Sequence, residues 1–288
     1  MKRFRDPRLI LFLIIILTFI SAQIDKAFPH SIRERIKNGE LVNILLLGID
    51  ARPGESYNTR SDTIILASID PNTEKAVLLW IPRDTRIYTS NRSKKINMVN
   101  QLQGPEASCK TVEELLGAEV DYYVLTNFAG FERIIDLLGG VYMDVDINLS
   151  SPWSGVYLTK GYKCLTGKEA LKYARYRGVK DGDIGRTHRQ QKLMKALITQ
   201  SLQKHNIAKF PELFAEFRKN VDTNLSTSDL LYLSTTILRI DNGNIVTETL
   251  PGYHYTDPYS GASYWEVDRQ VSRQIINNLF NRPVLQDS

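Results

Sequence analysis

The sequence predicts an α/β fold in which a central mixed sheet carries helices on both faces, preceded by one N-terminal membrane helix. Two observations predict the three-layer α-β-α domain. Short apolar, β-branched runs alternate with amphipathic helical stretches, and no long linker interrupts them. A third observation predicts the membrane helix, because an uncharged apolar run follows a basic N-terminus. Hydrophobic residues make up 42% of the 288 residues, which is typical of a globular protein with a core.

The apolar run 9–22, LILFLIIILTFISA, is short for a membrane span, which needs about 20 apolar residues, although Gln23 and Ile24 extend it. Because basic residues precede the run, we expect the N-terminus inside the cell and the rest of the chain outside. A retained anchor is the preferred interpretation. A signal peptide cleaved at Ala22 and a buried helix stay open as alternatives.

We therefore expect a single-pass protein of the cell membrane with an extracytoplasmic C-terminal domain. The predicted parts are a cytoplasmic tail (1–8), a membrane anchor (9–24), a connector (25–40) and one α/β domain (41–285). Cys109 and Cys164 would both be exported, so we expect a disulfide between them. Two unrelated buried thiols are the alternative.

Charge argues against a nucleic-acid partner. The formal net charge is +5, and the first eight residues supply +3 of it, which leaves +2 for the rest of the chain. Such a small global charge does not predict nucleic-acid binding. The informative feature is local clustering of basic residues.

Three short apolar runs predict the core strands of the sheet, at 42–49, 63–69 and 76–81. Runs of this length and composition are typical of strands covered on both faces. The turn sequence Asp-Pro-Asn-Thr at 70–73 predicts that the last two form a hairpin. Further along we predict strands at 122–125, 141–146 and 246–250, helices at 110–117, 128–138, 208–218, 227–240 and 268–280, and a loop at 150–163.

The densest basic stretch is 172–195, with eight lysines and arginines against two aspartates. A capping box at 166–169 predicts a helix that should end near Gly178. Arg175 and Arg177 would point about 200° apart in a continuous helix. Both reach one site only if the helix ends or unwinds there, which Gly178 allows.

A second helix should run from near residue 183 to about residue 205. On its first turn Arg186, Arg189 and Gln190 share one face, because they are three and four residues apart. Arg186 near the helix N-terminus is accompanied by main-chain donors for an anion.

Two carboxylates stand at strand ends. Asp50 follows the run 42–49, and Asp62 precedes the run 63–69. Ligands collect at strand ends in α/β sheets, and Mg²⁺ prefers one or two carboxylates together with water and substrate phosphates. Asp50 and Asp62 are therefore predicted magnesium ligands, with turn or cap residues as the alternative.

Arginines at the ends of elements predict a site for a multiply charged oxyanion. They are Arg60, Arg83, Arg175, Arg177 and Arg186. Guanidinium groups bind phosphate oxygens in a fixed, two-pronged geometry, so a magnesium-bridged pyrophosphate fits this set. The alternatives are a solvated basic face at 172–195 and a surface ion pair between Arg83 and Asp84.

Other classes of active site lack their motifs. The stretch 161–169 departs from a P-loop in its glycine spacing and in Glu169, which stands where the metal-binding hydroxyl belongs. The four histidines show no zinc spacing, and no GxSxG nucleophile elbow occurs.

These pieces, in this order, resemble the LytR-CpsA-Psr family of bacterial cell-envelope proteins. The matching segments are NILLLGIDAR (43–52), RSDTIILASID (60–70), VLLWIPRDTRI (77–87), KIN (95–97), TVEELLG (111–117), DYYVLTNFAGFERIIDLLGGVYMDV (121–145), LTGKEALKYARYR (165–177) and GDIGRTHRQQ (182–191). Each motif alone is weak, but together and in this order they make the resemblance specific.

The resemblance implies a magnesium-dependent phosphotransferase of cell-wall assembly, with 41–285 as its catalytic domain. It would take a glycopolymer from a polyprenyl pyrophosphate carrier and join it to a peptidoglycan sugar hydroxyl through a phosphodiester. The polyprenyl tail would lie in an apolar pocket between sheet and helices. The partners would be the lipid-linked glycan, peptidoglycan and the membrane, without nucleic acid.

The resemblance also implies a role for each site residue. The magnesium ligands would be Asp50 and Asp62. The catalytic residues would be Asp62, Arg83, Arg175 and Asp183. The pyrophosphate would be bound by Arg60, Arg83, Arg175, Arg177, Arg186 and Gln190.

Two other functions stay open. A polyprenyl-pyrophosphate-glycan hydrolase would use water in place of the sugar acceptor. A membrane-bound envelope regulator would need no such chemistry, although the chain has no helix-turn-helix pattern for DNA binding. The sequence leaves the polymer open between teichoic acid, capsule, arabinogalactan and others.

Overall fold

The computed structural model describes residues 31–51, 57–89, 92–151, 156–176, 182–201 and 210–280. The predicted cytoplasmic tail (1–8) and membrane anchor (9–24) lie outside these ranges. Within them, no helix is long and apolar enough to span a bilayer.

Strands and helices both recur along the described ranges, but they alternate less regularly than predicted, because several strands follow one another without a helix between them. The strands are β1 (Val42–Ile49), β2 (Ser61–Asp70), β3 (Lys75–Trp80), β4 (Arg86–Thr89), β5 (Arg92–Lys95), β6 (Tyr122–Asn127), β7 (Val141–Val145), β8 (Leu149–Ser151), β9 (Val156–Leu158), β10 (Gly161–Leu165), β11 (Val221–Thr223), β12 (Ile245–Thr249), β13 (Gly252–Thr256) and β14 (Ser263–Val267). The helices are α1 (Ile32–Lys37), α2 (Met98–Gln103), α3 (Pro105–Leu116), α4 (Phe128–Leu137), α5 (Gly167–Arg175), α6 (Gly182–Ser201), α7 (Phe210–Asn220), α8 (Thr227–Ile237) and α9 (Arg269–Phe280).

The central sheet is mixed, and within the described part of the chain it has the strand order β11-β6-β1-β2-β3-β12. β1 pairs antiparallel with β2 and parallel with β6, and β3 pairs antiparallel with β2 and parallel with β12. The predicted hairpin, β2–β3, is confirmed. Because β1, β3, β6 and β12 point the same way, their carboxyl ends meet at one edge of the sheet.

Alternate side chains of the sheet contribute to different cores, because successive residues of a strand point to opposite faces. From β1, Leu45 and Leu47 belong to the first core, which α2, α3 and α9 cover. Ile44 belongs to the second core, under α1 and α8. Next to it, Met194 and Ile198 of α6 pack on β2 and β3. The prediction of a central sheet with helices on both faces is confirmed.

A third core lies between the ribbon β7–β10 and the helices α4, α5 and α6. Burial alternates along β7, where Val141, Met143 and Val145 are buried and Tyr142 is exposed. The prediction of a strand with one solvent-exposed face is confirmed here. This core fixes α5 and α6, which carry the basic stretch, against the rest of the domain.

Two predicted boundaries are wrong. The stretch 150–163 is not all loop, because β8 and β9 form a hairpin and β10 begins within it. The strands β8 and β9 have three residues each, which is too short to show a periodicity in the sequence. In the structure, their residues Leu149 and Leu158 are buried in the third core. The helix predicted at 110–117 begins earlier, at Pro105, where proline occupies the first helical turn.

The predicted disulfide between Cys109 and Cys164 is wrong, because both cysteines are free thiols. Cys109 is buried in the first core with its Sγ 3.9 Å from the carbonyl oxygen of Tyr122. Cys164 lies on β10, where its Sγ is 3.4 Å from the carbonyl oxygen of Gly139. Burial raises the pKa of the Cys109 thiol to about 12. The two Sγ atoms lie beside different carbonyl oxygens, on α3 and β10, and do not bond to each other.

Candidate active site

The polar site predicted from the sequence lies at the edge where β1 and β3 end and β2 begins. Asp50 directly follows β1, and Asp62 is the second residue of β2. The β1–β2 register shifts between Gly48 and Ile49, so that Asp62 is the additional residue of a β-bulge. Bulges re-aim side chains at sheet ends. The bulge thus explains how a carboxylate inside a strand reaches a residue that follows β3.

Arg83, which follows β3, forms one of two carboxylate–arginine pairs at this edge, and its nitrogen–oxygen distance is the shorter of the two. Its Nη1 donates to Oδ1 of Asp62 at 2.6 Å, and the side chains are 20% and 31% exposed. The buried Asn97 ties the two segments together: its N–H donates to the carbonyl of Arg83, and its carbonyl accepts from the N–H of Ser61, each at 3.1 Å. The pair is therefore held by backbone on both sides.

The second pair joins Asp50 to Arg175, the last residue of α5. Nη2 of Arg175 donates to Oδ2 of Asp50 at 3.2 Å, and both side chains are 51% exposed. The guanidinium carbon lies 4.3 Å from the ring centre of Phe128, the first residue of α4. An ion pair this exposed adds little stability, so its main effect is to hold a guanidinium at the sheet edge.

The helix end that the prediction required is present. α5 begins with the predicted capping box at Thr166 and ends at Arg175, after which Tyr176 is extended with φ −65° and ψ 134°. Arg177 lies outside the described residues. Asp183 lies in the first turn of α6, and its side chain is likewise outside the described part.

Arg186 and Gln190 lie one turn apart near the beginning of α6. Arg186 is 7% exposed and Gln190 is half-buried. A buried guanidinium beside a helix N-terminus strengthens an anion site, because the helix dipole and the fixed charge act together. The next arginine, Arg189, is 4% exposed and donates to the carbonyl oxygen of Tyr176, over whose ring it also lies. It thereby joins the end of α5 to α6.

Arg60 stands apart from the two pairs. It directly precedes β2 and is exposed, and its Nε donates to Oε1 of Gln101 in α2 at 3.4 Å. The structure therefore brings Asp50, Asp62, Arg83 and Arg175 together in pairs, with Arg60 on the outer side of the edge.

Two cavities lie along the elements that carry the site, and one of them includes site residues. The larger, of about 450 Å³, is apolar and lies between the sheet and α6, α7 and α8; it includes Leu46, Leu78, Val124, Met194, Phe214 and Leu233. The second, of about 300 Å³, lies beyond the ends of β3 and β12 and includes Arg83 and Arg186. A pocket between sheet and helices agrees with the expectation drawn from the resemblance.

The donor chemistry of the described residues fits a magnesium ion that shares its ligands with a substrate. Asp50 and Asp62 offer carboxylate oxygens at one edge of the sheet. Among the described residues, no group of three or more histidine, cysteine, aspartate or glutamate side chains is placed to hold a metal. Two carboxylates completed by phosphate oxygens and water form a coordination sphere that suits Mg²⁺ but not a closed structural metal site.

The comparison with protein families agrees with the motifs and with this geometry. The model of the LytR_cpsA_psr family matches residues 19–281. The chain belongs to this family. The membership explains why the motifs at the ends of β1, β2, β3 and α5 occur together.

Relatives in the family are similar over most of their length. A protein of Oceanobacillus iheyensis, named "Polyisoprenyl-teichoic acid--peptidoglycan teichoic acid transferase TagU", is 35% identical over 265 residues, which cover 88% of this chain and 80% of that protein. "Regulatory protein MsrR" of Staphylococcus aureus is 30% identical over 259 residues, which cover 88% and 78%.

Solved structures of the family share the fold. The crystal structure of Bacillus subtilis TagV matches with a TM-score of 0.73 and 30% identity, covering 85% of this chain and 99% of that one. A structure described as "TagT bound to LI-WTA" matches with a TM-score of 0.66 and 30% identity, covering 83% and 91%. These matches support the mixed α/β fold described above.

Sequence reasoning missed two residues that shape the site, Asn97 and Phe128, and it gave no role to a third, Arg189. Phe128 stacks on Arg175, Asn97 bridges the Asp62 and Arg83 segments, and Arg189 fixes the α5–α6 connection. Asn97 and Phe128 lie inside matched segments (95–97 and 121–145), but their types suggested no chemistry. Only contacts between distant segments reveal their part.

Proposed function

We propose that the chain transfers a glycopolymer from a polyprenyl pyrophosphate carrier to a peptidoglycan sugar hydroxyl and forms a phosphodiester link. The observation that carries the proposal is the arrangement of two carboxylate–arginine pairs at a sheet edge, in a domain that also holds an apolar cavity between sheet and helices and a polar cavity that includes Arg83. The names of the TagU and TagV relatives support the reaction class, and the TagT structure supports a lipid-linked wall polymer as the donor.

The polymer is proposed to be a teichoic acid, on the names of these relatives. One relative is named a regulatory protein, which keeps an envelope regulator as the second candidate. The paired carboxylates and arginines favour the enzyme, because a purely regulatory surface has no need of buried guanidinium groups in a polar cavity.

Binding of the pyrophosphate is proposed to depend on the arginines. Arg83 and Arg186, partly or fully buried, would contact its oxygens in a site where guanidinium charges are poorly screened. Arg175, stacked on Phe128, would supply a third guanidinium from the opposite side. We propose that Arg60, Arg177 and Gln190 also bind the pyrophosphate.

Asp50 and Asp62 would hold Mg²⁺, which we propose as the cofactor. When bound, the ion would neutralise charge on the pyrophosphate oxygens. The arginines that pair with both carboxylates would then be released towards the phosphates, because a carboxylate shared with a divalent cation binds a guanidinium more weakly. The ion pairs thus hold the carboxylates and guanidinium groups in place before the substrate binds.

The proposed reaction is an in-line displacement at the sugar-side phosphorus. The acceptor hydroxyl oxygen forms a bond to this phosphorus, while the bond from phosphorus to the bridging oxygen breaks. Polyprenyl phosphate leaves, and the hydroxyl proton passes to a base, for which we propose Asp183. Since such reactions need little covalent help, positioning and electrostatic stabilisation by Arg83, Arg175 and Arg186 would dominate.

The polyprenyl chain is proposed to occupy the cavity of about 450 Å³ between the sheet and α6, α7 and α8. Its lining is almost wholly apolar, and burial of each methylene of the lipid would contribute about 0.8 kcal/mol. This assignment fits a protein anchored in the cell membrane by 9–24 with its domain outside, which we also propose.

The proposal is tested with the full-length chain in detergent and a donor labelled in its glycan. With peptidoglycan oligosaccharide present, we expect the label to become covalently linked to the oligosaccharide. Release of free phosphorylated glycan at the same rate with and without acceptor would instead establish a hydrolase. A protein that binds the donor but turns over none of it would favour the regulator.

A further inference from the structure

The cavity of about 300 Å³ beyond the sheet edge has no assigned ligand. It is bounded by the ends of β3 and β12, by the beginning of α6 and by the hairpin β13–β14; its wall includes Arg83, Arg186, His188, Pro251, His254 and Trp265. Its volume lies at the lower end of the range typical of small-molecule sites. A single sugar unit with its substituents, rather than a lipid, is the size of ligand that it admits.

The two cavities follow one another along the same elements, and the arginines line the polar one. On β3 the chain passes from Leu78, which lines the apolar cavity, to Arg83, which lines the polar one. Along α6 it passes in the reverse order, from Arg186 to Met194. Gln191 of α6 donates to Thr249 Oγ1 at 2.9 Å, which fixes this helix against the end of β12. A phosphate held by Arg83 and Arg186 would therefore have the apolar cavity on one side and the polar cavity on the other.

The outer wall of the polar cavity is a rigid aromatic corner. The rings of His254 and Trp265 meet edge to face, with centroids 5.3 Å apart and planes at 87°. Nε1 of Trp265 donates to the carbonyl oxygen of Leu250 at 3.1 Å. The main-chain N–H of Trp265 donates to the carbonyl oxygen of Asp84 at 2.9 Å. Gly252 leaves room for the ring, since a Cβ there would lie 2.5 Å from Nε1.

This combination of groups suits a sugar ring. The C–H face of a pyranose packs on an aromatic face, whose quadrupole is negative, while hydroxyls bond to imidazole and guanidinium groups at the rim. His188 projects from α6 and His254 from β13, so the polar groups approach from two different elements. A lipid chain would leave these groups without hydrogen bonds, and an inorganic anion would not use the aromatic wall.

We propose that this cavity, with His188, His254 and Trp265, is the subsite that binds the acceptor sugar. The proposal rests on the proposed transfer reaction. In-line displacement places the attacking hydroxyl opposite the leaving group. With polyprenyl phosphate leaving towards the apolar cavity, the hydroxyl enters from the polar one. The sugar of the donor itself has similar chemistry, and the experiment below separates the two.

The test compares His254→Ala and His188→Ala with a matched control, Tyr253→Ala, in the full-length chain. Tyr253 is the neighbour of His254 on β13 and is 56% exposed, and it is not part of the cavity wall. For each variant, the KM for a peptidoglycan oligosaccharide and the KM for the lipid-linked donor are measured. We expect either histidine variant to raise the acceptor KM by about tenfold, the loss of one aromatic or charge-assisted contact, and to leave the donor KM within about twofold. The control should change neither.

Release of the donor glycan to water in the absence of acceptor is the second readout, and it should stay unchanged in both histidine variants. An unchanged acceptor KM in both variants would refute the inference, and a raised donor KM with a normal acceptor KM would assign the cavity to the donor sugar instead. The two histidines lie on different elements, so misfolding of one variant, seen in its circular dichroism, leaves the other as the test.

Calorimetric titration of the oligosaccharide into the protein separates this inference from the proposed function. Binding that His254→Ala weakens, without any transfer by the wild type, would overturn the transferase and keep the sugar site. Transfer by the wild type, with oligosaccharide binding unchanged in both histidine variants, would keep the transferase and overturn the sugar site.

Discussion

At the scale of single residues, the contact between Arg83 and Asp62 has the largest consequence. Its 2.6 Å distance and partial burial make it a stronger and less screened pair than Arg175 with Asp50, which is half exposed. Both arginines nevertheless occupy equivalent places, each at the end of an element. The difference indicates that Arg83 is fixed by the fold, whereas Arg175 depends on stacking with Phe128 and is easier to displace.

Replacement of Arg83 by lysine should separate charge from geometry. Arg83→Lys keeps the positive charge but loses the two-pronged donor, so we expect the transfer rate to fall about 10²–10³-fold. The control is Arg133→Lys. Arg133 is 68% exposed and pairs with Glu216 at 3.3 Å, so this variant should leave the rate unchanged. Equal rates for Arg83→Lys and the wild type would remove Arg83 from the reaction.

Dependence on a divalent cation tests the role of Asp62. In wild-type protein stripped with a chelator, we expect transfer to be lost and to return on titration with Mg²⁺. Asp62→Asn should lose most of that response, and Mn²⁺ binding followed by electron paramagnetic resonance should weaken in parallel, because an amide oxygen carries no charge. Asp144→Asn, which affects an exposed pair with Lys192, is the control. Full activity of the stripped wild type would argue against a metal.

At the scale of elements, Arg86 joins the hairpins β4–β5 and β13–β14 and so supports the wall of the polar cavity. Its guanidinium donates to Ser93 Oγ at 2.8 Å, to Asp257 at 3.3 Å and to Glu266 at 3.4 Å. Its guanidinium carbon also lies 4.9 Å from the ring centre of Tyr255. A charge with this many partners is a structural centre. Although Arg86 lies only three residues after Arg83 in the sequence, none of these partners is assigned to the reaction.

Removal of Arg86 should therefore destabilise the domain without a specific effect on the site. We expect Arg86→Ala to lower the free energy of unfolding by about 2–4 kcal/mol, because Asp257 and Glu266 would remain half-buried without their cation. Urea denaturation of the full-length chain measures the change. Arg218→Ala, on the exposed face of α7, should change it by less than about 0.5 kcal/mol. A similar loss in both variants would show that Arg86 has no special structural role.

At the scale of the whole molecule, the sheet has unlike surroundings on its two faces. The first core, under α2, α3 and α9, is closely packed, whereas the face under α6, α7 and α8 encloses the apolar cavity. Interiors are normally packed to high density, so an apolar cavity of about 450 Å³ is unfavourable unless a ligand fills it. The proposed lipid substrate would supply that ligand.

Filling the cavity should accordingly separate stability from substrate binding. Ala67 of β2 lines it, so Ala67→Phe should keep or raise the melting temperature while raising the KM for the lipid-linked donor by about tenfold, equivalent to about two lost methylene contacts. A donor with a shortened lipid serves as the control, since its KM should rise less. Equal increases for both donors would place the lipid elsewhere.

Much of the fold was predictable from the sequence, because strands and helices leave local signals. The apolar runs became β1, β2 and β3, and the capping box at Thr166 became the beginning of α5. Predictions failed where local signals are weak, as in the hairpin β8–β9, whose strands have three residues each. The disulfide failed for a different reason, because whether two cysteines meet depends on the arrangement of whole elements and not on their neighbours in the chain.

The sequence by itself determined the succession of elements, the membership of the family and the identity of the charged residues at the sheet edge. Periodicity and capping depend on residues a few positions apart, so they can be seen in the chain. Only the tertiary structure decided which charges meet: Arg175 pairs with Asp50, 125 positions away, and not with a nearer carboxylate. It also decided that Arg83 and Arg186 line one polar cavity, because strand order and register arise from contacts between distant residues that no local pattern encodes.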